Sequence, residues 1–193
     1  MTKITRDSLM SLETYARERP QLRARIIPHR RMRSINLGEH LNLQFEDEET
    51  VRYQIQEMLR IEKIFEEAGI QEEISVYGPL VPDGTNWKAT LLIEYPDEAQ
   101  RRVELARLTD IENLVWVRVA GCDKVFAIAD EDLERSTEEK TSAVHFLRFE
   151  LTPAMIAGVK SGQALSMGVD HPNYSLSLEV PSPTRQGLVA DLA

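Results

Sequence analysis

The chain has 193 residues, of which 42% are apolar and 28% charged, a composition typical of a soluble globular protein with one substantial core. Its single cysteine, Cys122, excludes an intrachain disulfide and a cysteine-based zinc cluster. No apolar run approaches the roughly 20 residues that span a bilayer, and the N-terminus lacks the apolar segment of a signal peptide. We therefore expect a cytoplasmic protein without a membrane span.

The net charge of −9 is unevenly distributed along the chain. Residues 17–33 contain seven arginines and one acid, whereas the remainder carries 16 bases and 31 acids, a net charge of −15. Such a basic segment can bind nucleic acid, hold an acidic partner or neighbouring subunit, or pair with acids of its own chain. The acidic body favours the last two, and we expect no appreciable nucleic-acid affinity. The candidate partner-binding residues are Arg25, Arg30, Arg31 and Arg33.

The N-terminal segment 1–33 is predicted to form a helix followed by the arginine-rich stretch, apart from an α+β body at 34–193. Thr5 is a suitable N-cap for this helix, and Pro20 is expected to end it. Two short alternating runs, MRSINL and HLNLQF, then predict a β-hairpin. The following segment, EDEETVRYQIQEMLRIEKIFEEAG, predicts one long helix that ends at Gly69, because acids fill its first turn.

The rest of the chain alternates helix and strand patterns irregularly. After a short helix, a loop rich in proline and glycine at 78–86 precedes the strand WKATLLIEY; it is a connector or a cover for a pocket. Helices are predicted at PDEAQRRVELARL, TPAMIAGVKSG and SPTRQGLVADL, and strands at LVWVRVA, KVFAIA, SAVHFLRFEL, QALSMGV and YSLSLEV. We predict an α+β fold, a single domain with a largely antiparallel sheet of about six to eight strands and packed helices.

Common catalytic motifs are absent from this sequence. It contains no Walker A sequence, no glycine-rich dinucleotide fingerprint and no Gly-x-Ser-x-Gly elbow. The main predicted helix carries Glu57 and Glu62, but neither is followed by a histidine three residues later. A ferritin-like di-iron site, which needs that spacing, is therefore excluded.

Glu62 is the polar residue with the most unusual predicted position. At about 100° per residue it falls between Val51 and Ile55, on the apolar face of the helix. A buried carboxylate needs a partner, so Glu62 is expected to pair with an arginine or a backbone N–H, or to share a polar pocket with His145. His145 faces the core on the strand VHFLRFEL, where it is either a satisfied core residue or a ligand.

A metal pocket built on these residues would use Glu62 and His145, with His171, Asp170 and Glu57 as further candidates. Carboxylate and imidazole groups together suit iron, manganese or zinc. Asp170 and His171 lie at a strand end, a common place for chemistry, although the following tight turn also accounts for them. The metal and structural alternatives therefore both stay open.

Four separated blocks resemble a bacterial family of unknown function, DUF3501, over nearly the whole chain. They are YQIQEMLRIEKIF, LVPDGTNWKATLLIEY, EEKTSAVHFLRFEL and GVDHPNY. The resemblance implies no assigned activity and no catalytic residues. Genes of that family tend to lie beside those for rubrerythrin and an iron–sulfur oxidoreductase, so the resemblance implies redox-related work by association.

Two functions of different classes follow. The first is an accessory protein that docks an iron–sulfur oxidoreductase, a rubrerythrin or a second copy of itself through the arginine-rich segment. The second is a small-molecule or metal-binding enzyme with a Glu/His pocket. The missing nucleotide loops, cysteine ligands and nucleophile elbow favour the first.

Overall fold

Two antiparallel sheets and a helical layer make up the protein, which confirms the predicted α+β class. The computed structural model describes residues 4–132, 135–137 and 140–193. The α-helices of these residues are α1 (Leu12–Met32), α2 (Glu48–Ile61), α3 (Glu67–Tyr77), α4 (Glu98–Arg107), α5 (Pro153–Lys160) and α6 (Ser182–Ala190). The strands are β1 (Ser34–Leu37), β2 (Leu41–Phe45), β3 (Asn86–Ile93), β4 (Val115–Val119), β5 (Val125–Phe126), β6 (Ile128–Ala129), β7 (Val144–Glu150), β8 (Leu165–His171) and β9 (Tyr174–Glu179).

The strands divide into a five-stranded sheet, in the order β1-β2-β3-β7-β6, and a four-stranded sheet, in the order β5-β4-β8-β9. The sequence predicted one sheet, and the segment KVFAIA accounts for the difference. Its first half pairs with β4 and its second half with β7. The amide of Ala127, between them, donates to the Val115 carbonyl at 2.8 Å. This segment therefore crosses from one sheet to the other and joins them.

The main hydrophobic core fills the space between the two sheets. β7 supplies it with His145, Leu147 and Phe149, which are buried on one face, as the alternation of this strand predicted. Trp87 of β3 is fully buried beside them, and its indole N–H donates to the Leu188 carbonyl of α6 at 2.8 Å. The outer face of the five-stranded sheet is covered separately by α2, α3 and the 3-10 turn Gly78–Leu80.

α1 runs past Pro20, so the predicted helix end at this proline is wrong. Tyr15 and Ile26, on either side of it, are both buried, and this packing holds the two halves in one helix despite the missing N–H. α1 ends at Met32. A separate N-terminal unit that ends at residue 33 stays a prediction. Of the helices in the described part of the chain, none is both long enough and apolar enough to cross a membrane.

The long helix predicted to end at Gly69 is two helices. α2 ends at Ile61, the chain turns through Lys63 in the left-handed region (φ 57°), and α3 then includes Gly69. The apolar face of α2 joins a second hydrophobic cluster, apart from the main core. This cluster contains Ile4, Leu9, Val51, Ile55, Leu59 and Ile70.

Candidate functional site

His145 is the centre of a buried polar network. Its Nδ1 lies 2.6 Å from Asp130 Oδ2, and its Nε2 lies 2.8 Å from Thr141 Oγ1 and 3.0 Å from the Ser142 carbonyl. A carbonyl only accepts, so Nε2 carries a proton if that hydrogen bond forms. His145 is 0% exposed. It is therefore a core histidine whose two ring nitrogens both have polar partners.

Glu112 extends this network on the Nε2 side. Its Oε2 accepts from Thr141 Oγ1 at 3.0 Å, and its Oε1 accepts from Ser136 Oγ. On the Nδ1 side, Arg135 donates to Asp130 Oδ1 at 3.1 Å. The buried Glu112 and the partly buried Asp130 thus have an imidazole between them, and Asp130 also has a guanidinium partner. These partners lower the cost of removing the charges from water.

The backbone conformation of Asp130 positions its carboxylate next to His145. Asp130 adopts a left-handed conformation (φ 52°) directly after β6, which Asp tolerates better than most residues. Its Oδ1 also accepts from the Phe146 amide at 3.0 Å. The sequence reasoning missed Asp130 and Glu112 because neither lies in a periodic element, and both are surrounded by other acids.

Glu112, Asp130 and His145 are the described residues that could hold a metal ion, with donor atoms within 4.8 Å of one another. Iron, manganese and zinc all accept such ligands, at about 2.0–2.2 Å for zinc. Here, however, Nδ1 and Oδ2 face each other at hydrogen-bond distance, so an ion bound to both requires them to separate. A metal at His145 therefore stays a prediction, and the geometry fits a hydrogen-bonded network better.

The same atoms are ordered Asp130–His145–Thr141, as in a hydroxyl nucleophile activated by a histidine and a carboxylate. Thr141 is only 1% exposed, and its hydroxyl is directed at Glu112. Among the described residues, this hydroxyl therefore faces buried polar partners. The network is thus better suited to holding the segment after β6 against β7 than to nucleophilic catalysis.

The structure contradicts the predicted burial of Glu62 and its shared pocket with His145. Glu62 is the C-cap of α2 and is exposed, and no hydrogen bond joins it to His145. The helical wheel correctly placed Val51, Ile55 and Leu59 on the buried face. It failed beyond Ile61, where the helix ends and the angular progression of a helix no longer applies.

Asp170 and His171 lie in the four-stranded sheet and contribute no atom to the His145 network. Asp170 accepts from Trp116 Nε1 at 2.8 Å and from Lys124 Nζ at 2.6 Å. His171 Nε2 lies 3.1 Å from the Thr109 carbonyl. These contacts account for both residues without a metal, whose predicted binding to them stays untested.

Glu57, the remaining predicted metal ligand, is held by arginine instead. Arg19 forms a two-pronged contact with its carboxylate at 2.7 and 2.8 Å, Arg60 adds a weaker one, and the Tyr15 hydroxyl donates at 2.7 Å. These hydrogen bonds, above all those from Arg19, lower the pKa of Glu57 to about 2. The pair ties α1 to α2.

The Glu57 pair predicts a specific loss of stability in acid. Because the folded-state pKa lies below the ordinary 4.5, the stabilisation is fully present above pH 4.5 and is lost as the pH falls toward 2. For a partly solvated pair we expect about 1 kcal/mol. In urea unfolding, Glu57→Gln should be less stable than wild type at pH 7, and the difference should become small as the pH falls through 2. The exposed Glu18→Gln is the control; an equal gap at both pH values would contradict the assignment.

Arg33 is the best buried of the arginines predicted to bind a partner. It is 4% exposed, contacts the Asp191 carboxylate, and donates to the Phe45 and Glu46 carbonyls at 3.2 and 2.9 Å. Its Nε also lies 3.4 Å from Asp47 Oδ2. This burial contradicts the predicted role of Arg33 at a partner surface, because acids and carbonyls of its own chain enclose it.

The other three arginines remain nearer to solvent. Arg25 pairs with Glu49 at 2.8 Å on the surface, and Arg31 is exposed. Arg30 is partly buried and lines a cavity. Their binding to a protein partner stays a prediction.

A cavity of about 290 Å³ lies between the outer face of the five-stranded sheet and the helical layer. We call it the Glu46 cavity. Its sheet side has the polar residues Gln44, Glu46 and Thr90 and the apolar residues Leu92, Val144 and Phe146. Its helix side has Arg30, Val51, Gln54, Tyr77 and Leu80.

Glu46 is the most unusual residue of this cavity. It is 6% exposed, and its carboxylate accepts from the hydroxyls of Thr50 at 2.5 Å and Thr90 at 2.7 Å. No Lys, Arg or His nitrogen of the described residues lies within 4.0 Å of this carboxylate. A buried acid is thus held by hydroxyls alone. Sequence reasoning assigned Glu46 to the acidic start of the main helix, but the helix begins after Asp47.

A larger cavity of about 650 Å³ adjoins the Glu46 cavity, and Leu80 and Phe146 line both. Lys88 lies on its sheet side, where burial lowers the pKa of the amine. The Lys88 ammonium donates to the Pro79 and Val81 carbonyls at 2.6 and 3.0 Å. These contacts fix the loop 78–86 over the sheet, so of the two predicted roles of this loop the structure favours a cover.

Comparison with known proteins agrees with the fold. The family model described as a protein of unknown function, DUF3501, matches residues 3–192. The chain is similar to a crystal structure of a novel protein of unknown function from Burkholderia pseudomallei, with 56% identity, a TM-score of 0.95 and complete coverage of both chains. No match was found among curated proteins. The chain belongs to the DUF3501 family.

Proposed function

We propose that this protein binds a small polar molecule in the Glu46 cavity. The observation that carries the proposal is the Glu46 carboxylate, which is buried, has no cationic partner among the described residues, and lines an open cavity. Burying a carboxylate without a counter-charge is energetically unfavourable. Such unfavourable features are found at functional sites, where a bound ligand can supply the missing partner. The ligand group that faces Glu46 is a hydrogen-bond donor, because an ionised carboxylate only accepts.

The unused hydrogen-bond acceptor positions of the Glu46 carboxylate support this proposal. An ionised carboxylate offers about four lone-pair positions, and the hydroxyls of Thr50 and Thr90 occupy two of them. Gln54 and Tyr77 on the helix side add further polar groups, and Leu92 and Phe146 add apolar surface. The lining of the Glu46 cavity thus combines apolar surface with several polar groups, and small-molecule sites contain both kinds of surface.

Docking to an iron–sulfur oxidoreductase or a rubrerythrin is a separate prediction about the surface of the protein. The exposed side chains of Arg25 and Arg31 would serve it. Both functions are compatible, since these arginines do not line the Glu46 cavity.

Glu46→Gln is expected to weaken ligand binding without weakening the fold. Charged hydrogen bonds contribute about 1.5–3 kcal/mol, so the affinity for a donor-bearing ligand should fall roughly 10- to 100-fold. The threonine hydroxyls can turn to accept from the new amide, and the variant should unfold at the same urea concentration as wild type or a higher one.

The measurement is an NMR titration of ¹⁵N-labelled protein with a panel of simple amines, amino acids, carboxylic acids, alcohols and amides. The expected result is that donor-bearing compounds shift the amides of Thr90 and Val144 in wild type and much less in Glu46→Gln. Glu94→Gln, an exposed acid just beyond the end of β3, is the matched control. If no compound shifts these amides, or if Glu46→Gln binds as well as wild type, the proposal is wrong.

A further inference from the structure

A second charged residue lines the Glu46 cavity. It is Arg30, in the last turn of α1, and its guanidinium makes no hydrogen bond or ion pair with another described residue. Its nitrogens lie more than 4.0 Å from the Glu46 carboxylate. The cavity therefore has a carboxylate and a guanidinium that do not neutralise each other.

The backbone of Arg30 is fixed relative to this carboxylate. Gln44, which is 7% exposed in β2, donates through its Nε2 to the Arg30 carbonyl at 3.1 Å. Glu46 follows two residues after Gln44 on the same chain segment. The Gln44 side chain thus connects the backbone of Arg30 to the chain segment that carries Glu46, and both charged residues line the cavity.

We infer that the ligand of the Glu46 cavity is a zwitterion, with an ammonium group at Glu46 and a carboxylate at Arg30. This inference rests on the proposed function. A guanidinium favours carboxylates because its planar fork matches their geometry, and a carboxylate at the cavity floor favours an ammonium. A molecule with both charges satisfies both residues, whereas a simple amine leaves Arg30 without a partner.

The remaining surface indicates what joins the two charges. Leu92, Val144 and Phe146 of the sheet form an apolar wall next to Glu46 and Thr90. A volume of about 290 Å³ is at the small end of ligand sites. These features fit a free α-amino acid with an apolar side chain, the smallest common molecule that combines an ammonium, a carboxylate and an apolar group.

The test compares three ligands with the same apolar part by isothermal titration calorimetry. They are leucine, isoamylamine, which lacks the carboxylate, and 4-methylpentanoate, which lacks the ammonium. Methionine and phenylalanine are included as amino acids of other shapes. At least one amino acid should bind about tenfold tighter than both single-charge compounds, because each charge contributes a charged hydrogen bond.

Variants assign each charge of the ligand to its residue. Arg30→Gln should lower amino-acid affinity at least about tenfold while leaving isoamylamine affinity unchanged. Glu46→Gln should lower the affinity for amino acids and for isoamylamine, and should leave the affinity for 4-methylpentanoate unchanged. Arg31→Gln, at the exposed neighbouring position, is the control and should bind all three compounds as wild type does.

The outcomes separate the two proposals. If isoamylamine binds as tightly as every amino acid and Arg30→Gln changes nothing, the zwitterion inference is wrong while the Glu46 cavity remains a binding site. If Arg30 swings onto Glu46 and closes the cavity, Arg30→Gln will increase amine affinity, which also overturns the inference. If neither these compounds nor the wider NMR panel binds, the proposed function fails as well.

Discussion

Replacing His145 by alanine is expected to lower the free energy of unfolding by about 3–5 kcal/mol, because partners of a buried charged network lose their contact. Asp130 would lose the imidazole at 2.6 Å, and the Thr141 hydroxyl would lose its imidazole partner at 2.8 Å. Arg135 would remain next to Asp130, to which it donates at 3.1 Å. The contacts of Asp130 and Thr141 with β7 should be lost before the sheet unfolds.

Urea unfolding followed by tryptophan fluorescence measures this effect, since Trp87 and Trp116 are both buried. Val144→Thr, at the exposed neighbouring position of β7, should change the free energy of unfolding by less than about 0.5 kcal/mol. Chelator treatment should leave the wild-type midpoint unchanged. A clear fall on chelation would favour a metal bound by Glu112, Asp130 and His145 over the hydrogen-bonded network.

The sequence allowed good prediction where one local pattern decided the structure. β7 alternates buried and exposed residues, and its inward face was predicted in full, including His145. The helix predicted at TPAMIAGVKSG is α5, and the side chain of Thr152 caps it by accepting from the Met155 amide. In both cases the interactions that determine the structure lie within a few residues of the chain. The alternation of a strand and the chemistry of a helix cap can therefore be recognised in the sequence.

Predictions failed where distant packing decided. A proline inside a helix usually ends it, but α1 continues past Pro20 because Tyr15 and Ile26 are buried on either side of it. Glu62 appeared buried only because the helix was extended past its real end. Asp130 lies 15 residues from His145 along the chain, and no local signal shows that its left-handed backbone brings the two together.

The candidate site illustrates the same limit more strongly. Glu46 appears in the sequence as one of four consecutive acids, and the others cap or begin α2. What distinguishes it is its burial under the helical layer and the hydroxyl of Thr90, 44 residues away. Its missing counter-charge is a property of the folded chain alone. No composition or periodicity could reveal it.

Arg33→Ala is expected to lower the free energy of unfolding by about 3–5 kcal/mol, because it leaves buried acceptors without their cation. Arg33 joins the end of α1 to α6 through Asp191 and to the chain after β2 through the Glu46 carbonyl. Burial already raises the pKa of Asp191, while Arg33 opposes that rise. Without Arg33 the Asp191 carboxyl should remain buried only in its protonated form.

The effect should therefore depend on pH in a defined direction. An acid whose folded-state pKa is raised favours the folded state when protonated, and this advantage is lost as the pH increases above the unfolded value of about 3.8. The deficit of Arg33→Ala relative to wild type should thus be smaller near pH 4 than at pH 7. Arg31→Ala, two residues away and exposed, should change stability by less than about 0.5 kcal/mol at either pH. Equal urea midpoints for the two alanine variants would show that Arg33 contributes no more than a solvated arginine.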